Sequence, residues 1–285
     1  MNPIDPTSQR LAAATRLGRV RLQVAELERS LEYYRDVLGL RVAERSPGNA
    51  VLAAHGGDTP LVELRELPGA APVPRRGRLG LYHFAILLPD RAALGRFVAH
   101  LAAVGVRAGA SDHLVSEALY LQDPDGLGIE VYADRPRDTW RSENGQLVMA
   151  TEPLDLQSLV RAAGGVPWSG MPAGTTIGHV HLHVGDVDEA ARFYADALGF
   201  ERTVWSYPGA LFLASGGYHH HLGVNSWAAG TAPAGDGDAR LLEWEVVVPS
   251  ARDAEAALAR IEAAGYRASD GVVRDPWGTA LRIRA

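Results

Sequence analysis

The chain repeats itself, and that repeat limits the fold more than any single motif does. "GRVRLQVAELERSLEYYRDVLGL", from Gly18, lies without gaps on "GHVHLHVGDVDEAARFYADALGF", from Gly178. At the same offset, "LYHFAILLPDRAALGRFVAHLAAVGVRA" from Leu81 lies on "LLEWEVVVPSARDAEAALARIEAAGYRA" from Leu241. The 285 residues are therefore two duplicated halves, and the architecture must be modular.

Each half divides again. Four times an alternating strand leads into a helix of about three turns that stops at glycine. Val20, Leu22 and Val24 alternate with Arg19, Arg21 and Gln23, the pattern of a half-buried strand. The helix after it places Leu31, Tyr34 and Leu38 on one face and ends at Gly39, as Leu198 and Gly199 end its counterpart. In the second unit "RAGASD", "EALYLQD" and "LGIEVYAD" read as short strands, with Asp123-Pro124-Asp125-Gly126 as a turn. The unit is βαβββ, roughly 55–65 residues long. A repeat this small cannot cover its own sheet, so units must pair.

The expected fold class is α+β, four such modules forming paired, cupped mixed sheets. An N-terminal extension (1–15) precedes a first domain, 16–135, holding modules 16–68 and 78–135. A linker, 136–173, leads to a second domain, 174–285, holding modules 174–228 and 236–285.

Charge and composition remove several classes of function. The net charge is −6 with no block of Lys or Arg, which argues against nucleic-acid or anionic-membrane partners. No apolar run reaches the ~18 residues of a membrane span, and the N-terminus lacks the pattern of a signal peptide. A soluble cytoplasmic protein is expected. With no cysteine, any metal must be held by His and carboxylates.

The four-unit layout, with "GLYHFAILLPD", "DHLVSEALYLQDPDGLGIEVYADRPRDTW" and "GHVHLHV…GGYHHHLGVNSW", resembles the vicinal oxygen chelate superfamily. That superfamily comprises glyoxalase I, bleomycin-resistance proteins and type I extradiol dioxygenases, and the motifs look like its bacterial catechol-2,3-dioxygenase subgroup. The resemblance implies that metal ligands come from the first and last strands of paired units and point into a cup. The first-strand positions are Arg19, His83, His179 and Glu243; the last-strand positions are Glu63, Glu130, Gly223 and Arg282.

Pairing within each half would put an arginine in both cups, where Coulomb repulsion disfavours a dication. Pairing of the second unit with the third gathers His83, Glu130 and His179. Two imidazoles and one carboxylate are the facial triad typical of Fe(II), and the same ligands could accept Mn(II). The first and fourth units would then bring Arg19, Arg282, Glu63 and Glu243 together to neutralise one another.

The resemblance further implies a proton-handling histidine after the third unit's helix, and His219 in "GGYHHHLGVNSW" is the best match. Strand alternation points His219, His221, Gly223 and Asn225 into the cup and His220 away, unless the turn before the strand breaks the alternation. His113 and Tyr120 match the family's other positions beside the substrate. His181 and His183 share the face of His179, and Trp205, Tyr207 and Trp227 offer an aromatic wall. "RPRDTW", from Arg135, carries Arg and Asp partners and no assigned role.

The implied activity is Fe(II)-dependent cleavage of a catechol by O2 to a ring-opened semialdehyde. Its partners are then a small aromatic diol and O2. Two other readings compete. A glyoxalase or metal-dependent thiol transferase usually closes its site with a further Glu, where this chain has Gly223. A non-enzymatic small-molecule-binding protein would lack the triad. An exposed sheet edge could also pair chains into a homo-oligomer.

Overall fold

The computed structural model describes residues 10–285, so most of the expected extension 1–15 lies outside the described residues. Module 1 runs β1 (Arg16–Val24), α1 (Leu27–Glu32), β2 (Arg41–Ser46), β3 (Asn49–Ala53) and β4 (Pro60–Glu66). Module 2 runs β5 (Gly80–Leu87), α2 (Arg91–Ala103), β6 (Gly109–Asp112), β7 (Ser116–Gln122) and β8 (Gly128–Asp134). A connection follows with β9 (Ser142–Glu143), β10 (Gln146–Leu147) and α3 (Leu156–Ala162). Module 3 has β11 (Thr176–His183), α4 (Val187–Ala191), β12 (Glu201–Val204), β13 (Ala210–Ala214) and β14 (Leu222–Asn225). Module 4 has β15 (Arg240–Val247), α5 (Ala251–Ala263), β16 (Ala268–Ser269), β17 (Val272–Arg274) and β18 (Ala280–Arg284).

The strands form two eight-stranded mixed sheets. One has the order β12-β13-β14-β11-β5-β8-β7-β6 and the other β16-β17-β18-β15-β1-β4-β3-β2. Modules 2 and 3 therefore share one sheet and modules 1 and 4 the other, the pairing that sorts the charges. Within each module the first strand runs parallel to the last, as β5 does to β8 and β11 to β14; between modules the first strands meet antiparallel.

One apolar core serves both sheets. The alternation in β1 buries Val20, Leu22 and Val24, and they share a cluster with Phe84 and Ile86 of β5 and Val180 and Leu182 of β11. Leu31, Tyr34 and Leu38 are buried on one face as the spacing predicts, although the helix continues from α1 into a π-helical turn over Tyr33–Val37. Arg192–Ala197 does the same after α4. Gly39, Gly105, Gly199 and Gly265 end the four module helices at positive φ, the conformation that makes glycine the favoured stop.

These π-helical turns also tie the sheets together. Tyr34 donates to Asp123 Oδ2 at 3.2 Å, and Tyr194 donates to Asp275 Oδ2 at 2.9 Å. Each bond joins a helix of one sheet to a β-turn of the other. The turn carboxylates also accept backbone N–H groups, Asp123 from Asp125 and Leu127 and Asp275 from Trp277 and Thr279.

The cup of modules 1 and 4 is lined with ion pairs. Arg19 meets Glu63 at 2.9 Å and Glu245 at 3.0 Å, Arg21 meets Glu63 at 3.0 Å, and Arg282 meets Glu243 at 2.9 Å. Arg284 adds Glu245 at 2.9 Å. The expected four charges are present, and Arg21, Glu245 and Arg284 enlarge the network.

Candidate metal centre

The other cup brings together His83 from β5, Glu130 from β8 and His179 from β11. His83 Nε2 and His179 Nε2 lie 3.0 and 3.1 Å from Glu130 Oε2 and 3.3 Å from each other. Cis ligands about 2.1 Å from an octahedral ion are separated by about 3.0 Å, so this spacing fits one first-row divalent cation. All three residues are buried. No fourth His or carboxylate joins the group among the described residues, which leaves coordination positions for other ligands.

Local strand irregularities aim these groups. Between β5 and β11, His181 pairs with His83 and Leu182 with Leu81, so Tyr82 is an extra, bulged residue. The bulge lets Tyr82 and His83 line the same cavity although they are neighbours in a strand. A second irregularity falls at Gly178, just before His179. A Cβ there would sit 1.8 Å from the Tyr132 hydroxyl, so only glycine fits. Gly223, across from His181, leaves room for that imidazole, whose ring would be 2.9 Å from a Cβ.

Burial sets the protonation states. It drives the His179 pKa down to about 4, and His181 and His220 well below the ordinary histidine range. Burial alone would raise Glu130, but His179 and His83 outweigh it and hold the carboxyl well below its usual range. Neutral imidazoles beside an ionised carboxylate are the forms that bind a metal.

Above the triad lies a cavity of about 320 Å³. Tyr82, Tyr207, Phe212 and Trp227 give it aromatic walls, and His113, Tyr120, His181 and His220 its polar groups. Met149, Ala150 and Thr151 close one side. These three belong to the segment read from the sequence as linker, which carries no motif that would have signalled a site. Trp205 is half exposed, outside the wall, and its backbone N–H bonds Gln146.

The histidine run departs from the alternation. Residues 215–221 form a turn and β14 begins only at Leu222, so strand parity does not reach the run. His220, expected to point away, lines the cavity with its ring 4.0 Å from that of His179. His219 is fully buried behind it, with Nε2 2.9 Å from Asp134 Oδ1 and Nδ1 2.7 Å from His220 Nδ1. His221 turns away against Phe200 and Tyr218, and its Nδ1 accepts from Ser215 N–H.

These contacts assign the protons. A carboxylate only accepts, so His219 carries hydrogen on Nε2 and presents a bare Nδ1. With that nitrogen bare, His220 donates from Nδ1, which leaves its Nε2 as an acceptor. The same logic applies to His113. Its Nδ1 donates to the Ala150 carbonyl at 2.7 Å, so its Nε2 accepts the Tyr120 hydroxyl at 2.6 Å. Asn225 orients His181 and His183, donating to the first and accepting from the second.

"RPRDTW" gains a structural role. Arg135 pairs with Asp112 and with the buried Glu117, which also receives Arg91 at 2.6 and 3.0 Å. Trp140 packs edge-on against His219, with the Arg137 guanidinium over its ring.

A fold of paired βαβββ modules around a buried His/Glu/His cluster defines a class. The chain belongs to the Glyoxalase/Bleomycin resistance protein/Dioxygenase superfamily, whose family model matches residues 16–131 and 176–283. It is 46% identical over 256 residues to the catechol-2,3-dioxygenase of Bacillus subtilis (strain 168), covering 88% of this chain and 89% of that protein. Among solved structures, it resembles a candidate dioxygenase of the same organism at 16% identity, with a TM-score of 0.64 over 96% of this chain and 85% of that one. Glyoxalase I from Zea mays is similar at 17% identity, with a TM-score of 0.53 over 95% and 92%.

Proposed function

We propose that the protein is an Fe(II)-dependent extradiol dioxygenase that cleaves a catechol with O2 to a ring-opened semialdehyde. The observation that carries this reading is the convergence of His83 Nε2, His179 Nε2 and Glu130 Oε2 beside an aromatic-walled cavity that His83 and Glu130 line. The 46% identical Bacillus subtilis relative supports it. Iron held by these three residues would supply the one-electron chemistry that lets O2 react with a catecholate.

The remaining work falls to the chain's own side chains. A cavity of about 320 Å³ suits one substituted ring, and Tyr82, Phe212 and Trp227 exclude water from its faces. Burial keeps His220 neutral at rest, so its Nε2 takes the proton of a substrate hydroxyl only transiently and returns it later in the reaction. His219 and Asp134 position His220 and stabilise its cationic form, as a carboxylate behind an imidazole does in other acid–base sites. Tyr120 gives its own hydrogen to His113, so its oxygen is free to accept from the second hydroxyl. Burial, then the charge of Glu130, pushes the Tyr120 pKa well above its ordinary value and keeps it a phenol.

The test is reconstitution with Fe(II) under anaerobic conditions, followed by catechol and air. Oxygen uptake matched by a yellow ring-opened product is expected, and Mn(II) serves as the parallel metal. Bound iron with no uptake across a panel of catechols would overturn the proposal.

A further inference from the structure

Beyond the cavity, on the far side of Tyr82, a groove of about 860 Å³ opens along the end of the module 2 sheet. Tyr82, His83 and Tyr120 line both spaces, so the groove is an extension of the site. Arg75 and Arg76 enter it from the segment between β4 and β5, and Arg107 from the segment between α2 and β6. Among the described residues no Asp or Glu lines it. None of the three guanidiniums has an ion pair or side-chain hydrogen bond among the described residues, whereas Arg19, Arg21, Arg282 and Arg284 in the other cup are all paired. The contrast is sharper because the chain as a whole carries a charge of −6.

Three like charges from two separate segments line one groove and give it a positive field. A cleft of one sign concentrates counter-ions, and guanidinium forks match carboxylates. We propose that this groove is an anion subsite of the cavity, holding a carboxylate on a side chain of the aromatic diol. This rests on the dioxygenase reading and narrows it: the substrate class is a catechol bearing a carboxyl-terminated chain. Tyr82, exposed at the junction, would be passed by that chain.

Two measurements test the subsite. The first compares kcat/KM for 3-(3,4-dihydroxyphenyl)propionate with that for uncharged 4-propylcatechol. The native protein is expected to favour the carboxylate by about tenfold or more, and R75Q/R76Q/R107Q to bring the ratio close to one, as does high salt. An equal preference in the native protein, or one the triple variant retains, overturns the proposal.

The second measurement is binding of 3-phenylpropionate, which is no substrate, to the metal-free protein by tryptophan fluorescence. Binding that weakens about tenfold in the triple variant supports the subsite even where no catechol is cleaved, and that outcome would sink the dioxygenase reading alone. Arginine-dependent binding of inorganic phosphate, with no gain from the aryl group, would mark a free-anion site and overturn the assignment to substrate.

Discussion

Asp134→Asn tests the proton-handling chain directly. Asp134 Oδ1 accepts from His219 Nε2 at 2.9 Å and from the Tyr218 hydroxyl at 3.2 Å. Asparagine keeps an acceptor oxygen there and removes only the charge. Counting through the imidazole to the 2.7 Å contact with His220, the carboxylate lies roughly 8 Å from His220 Nδ1, worth about 2 kcal/mol at an effective dielectric constant of about 20. If His220 is cationic in the rate-limiting step, kcat should fall about 30-fold. The acid limb of the kcat/KM profile should move to lower pH, because a protonated His220 has lost its counter-charge. Oxygen uptake against pH gives both readouts, and bound iron and melting temperature report on the fold. An unchanged pH profile would refute the role of Asp134. So would a fall in activity matched by a fall in bound iron, since the residue would then act through the metal site.

Metal analysis is expected to give one equivalent per chain, lost in His83→Ala and in His179→Ala and retained in Glu63→Gln; iron retained by either histidine variant contradicts the ligand set. In the metal-free protein, burial lowers His179 to about 4 and His221 to about 3, from 6.5. The unfolded chain therefore takes up these protons first, so their stability contribution is full above pH 6.5. It is lost as pH falls to about 4 for His179 and about 3 for His221. Thermal melts of His221→Asn, which keeps an acceptor for Ser215, should decline less steeply over that range; parallel curves would count against the assignment. Glu117→Ala takes from Arg91 its carboxylate partner and leaves Arg135 with Asp112 alone, and with both arginines about one-third exposed it should cost about 2 kcal/mol in urea unfolding. A loss below about 1 kcal/mol would place the pair among ordinary surface bridges.

The module pairing was legible because charge is a property of residue type. Arginines at Arg19 and Arg282 could not share a cup with a metal, and that contradiction selects the partners before any coordinate is known. The candidate triad rested on the resemblance, which implies ligands on the first and last strands, with charge choosing only between the two pairings. His220 was not, because parity is a rule for strands and its backbone belongs to the turn before β14. Tyr82 was hidden by its bulge, which reverses the facing that alternation assigns. Met149 to Thr151 gave no signal, since they reach the cavity through the path of a connection and not through their own chemistry. Trp205 illustrates the reverse error: aromatic character marked it for the wall, but its backbone places it outside.

The strand order also fixes a sequence of events during synthesis. Modules pair as nested brackets, the second with the third inside the first with the fourth. Every strand of the metal cup has been made once Asn225 emerges. β1 must wait for β15, which begins only at Arg240. The strands of the inner sheet can therefore pair while one edge of the outer sheet still lacks its partner. A chain truncated after module 3 would keep every strand of that inner sheet and expose β1 as an open edge. The acidic and basic residues along β1 and β4 then have a second use, discouraging strand addition by other chains until the last module arrives.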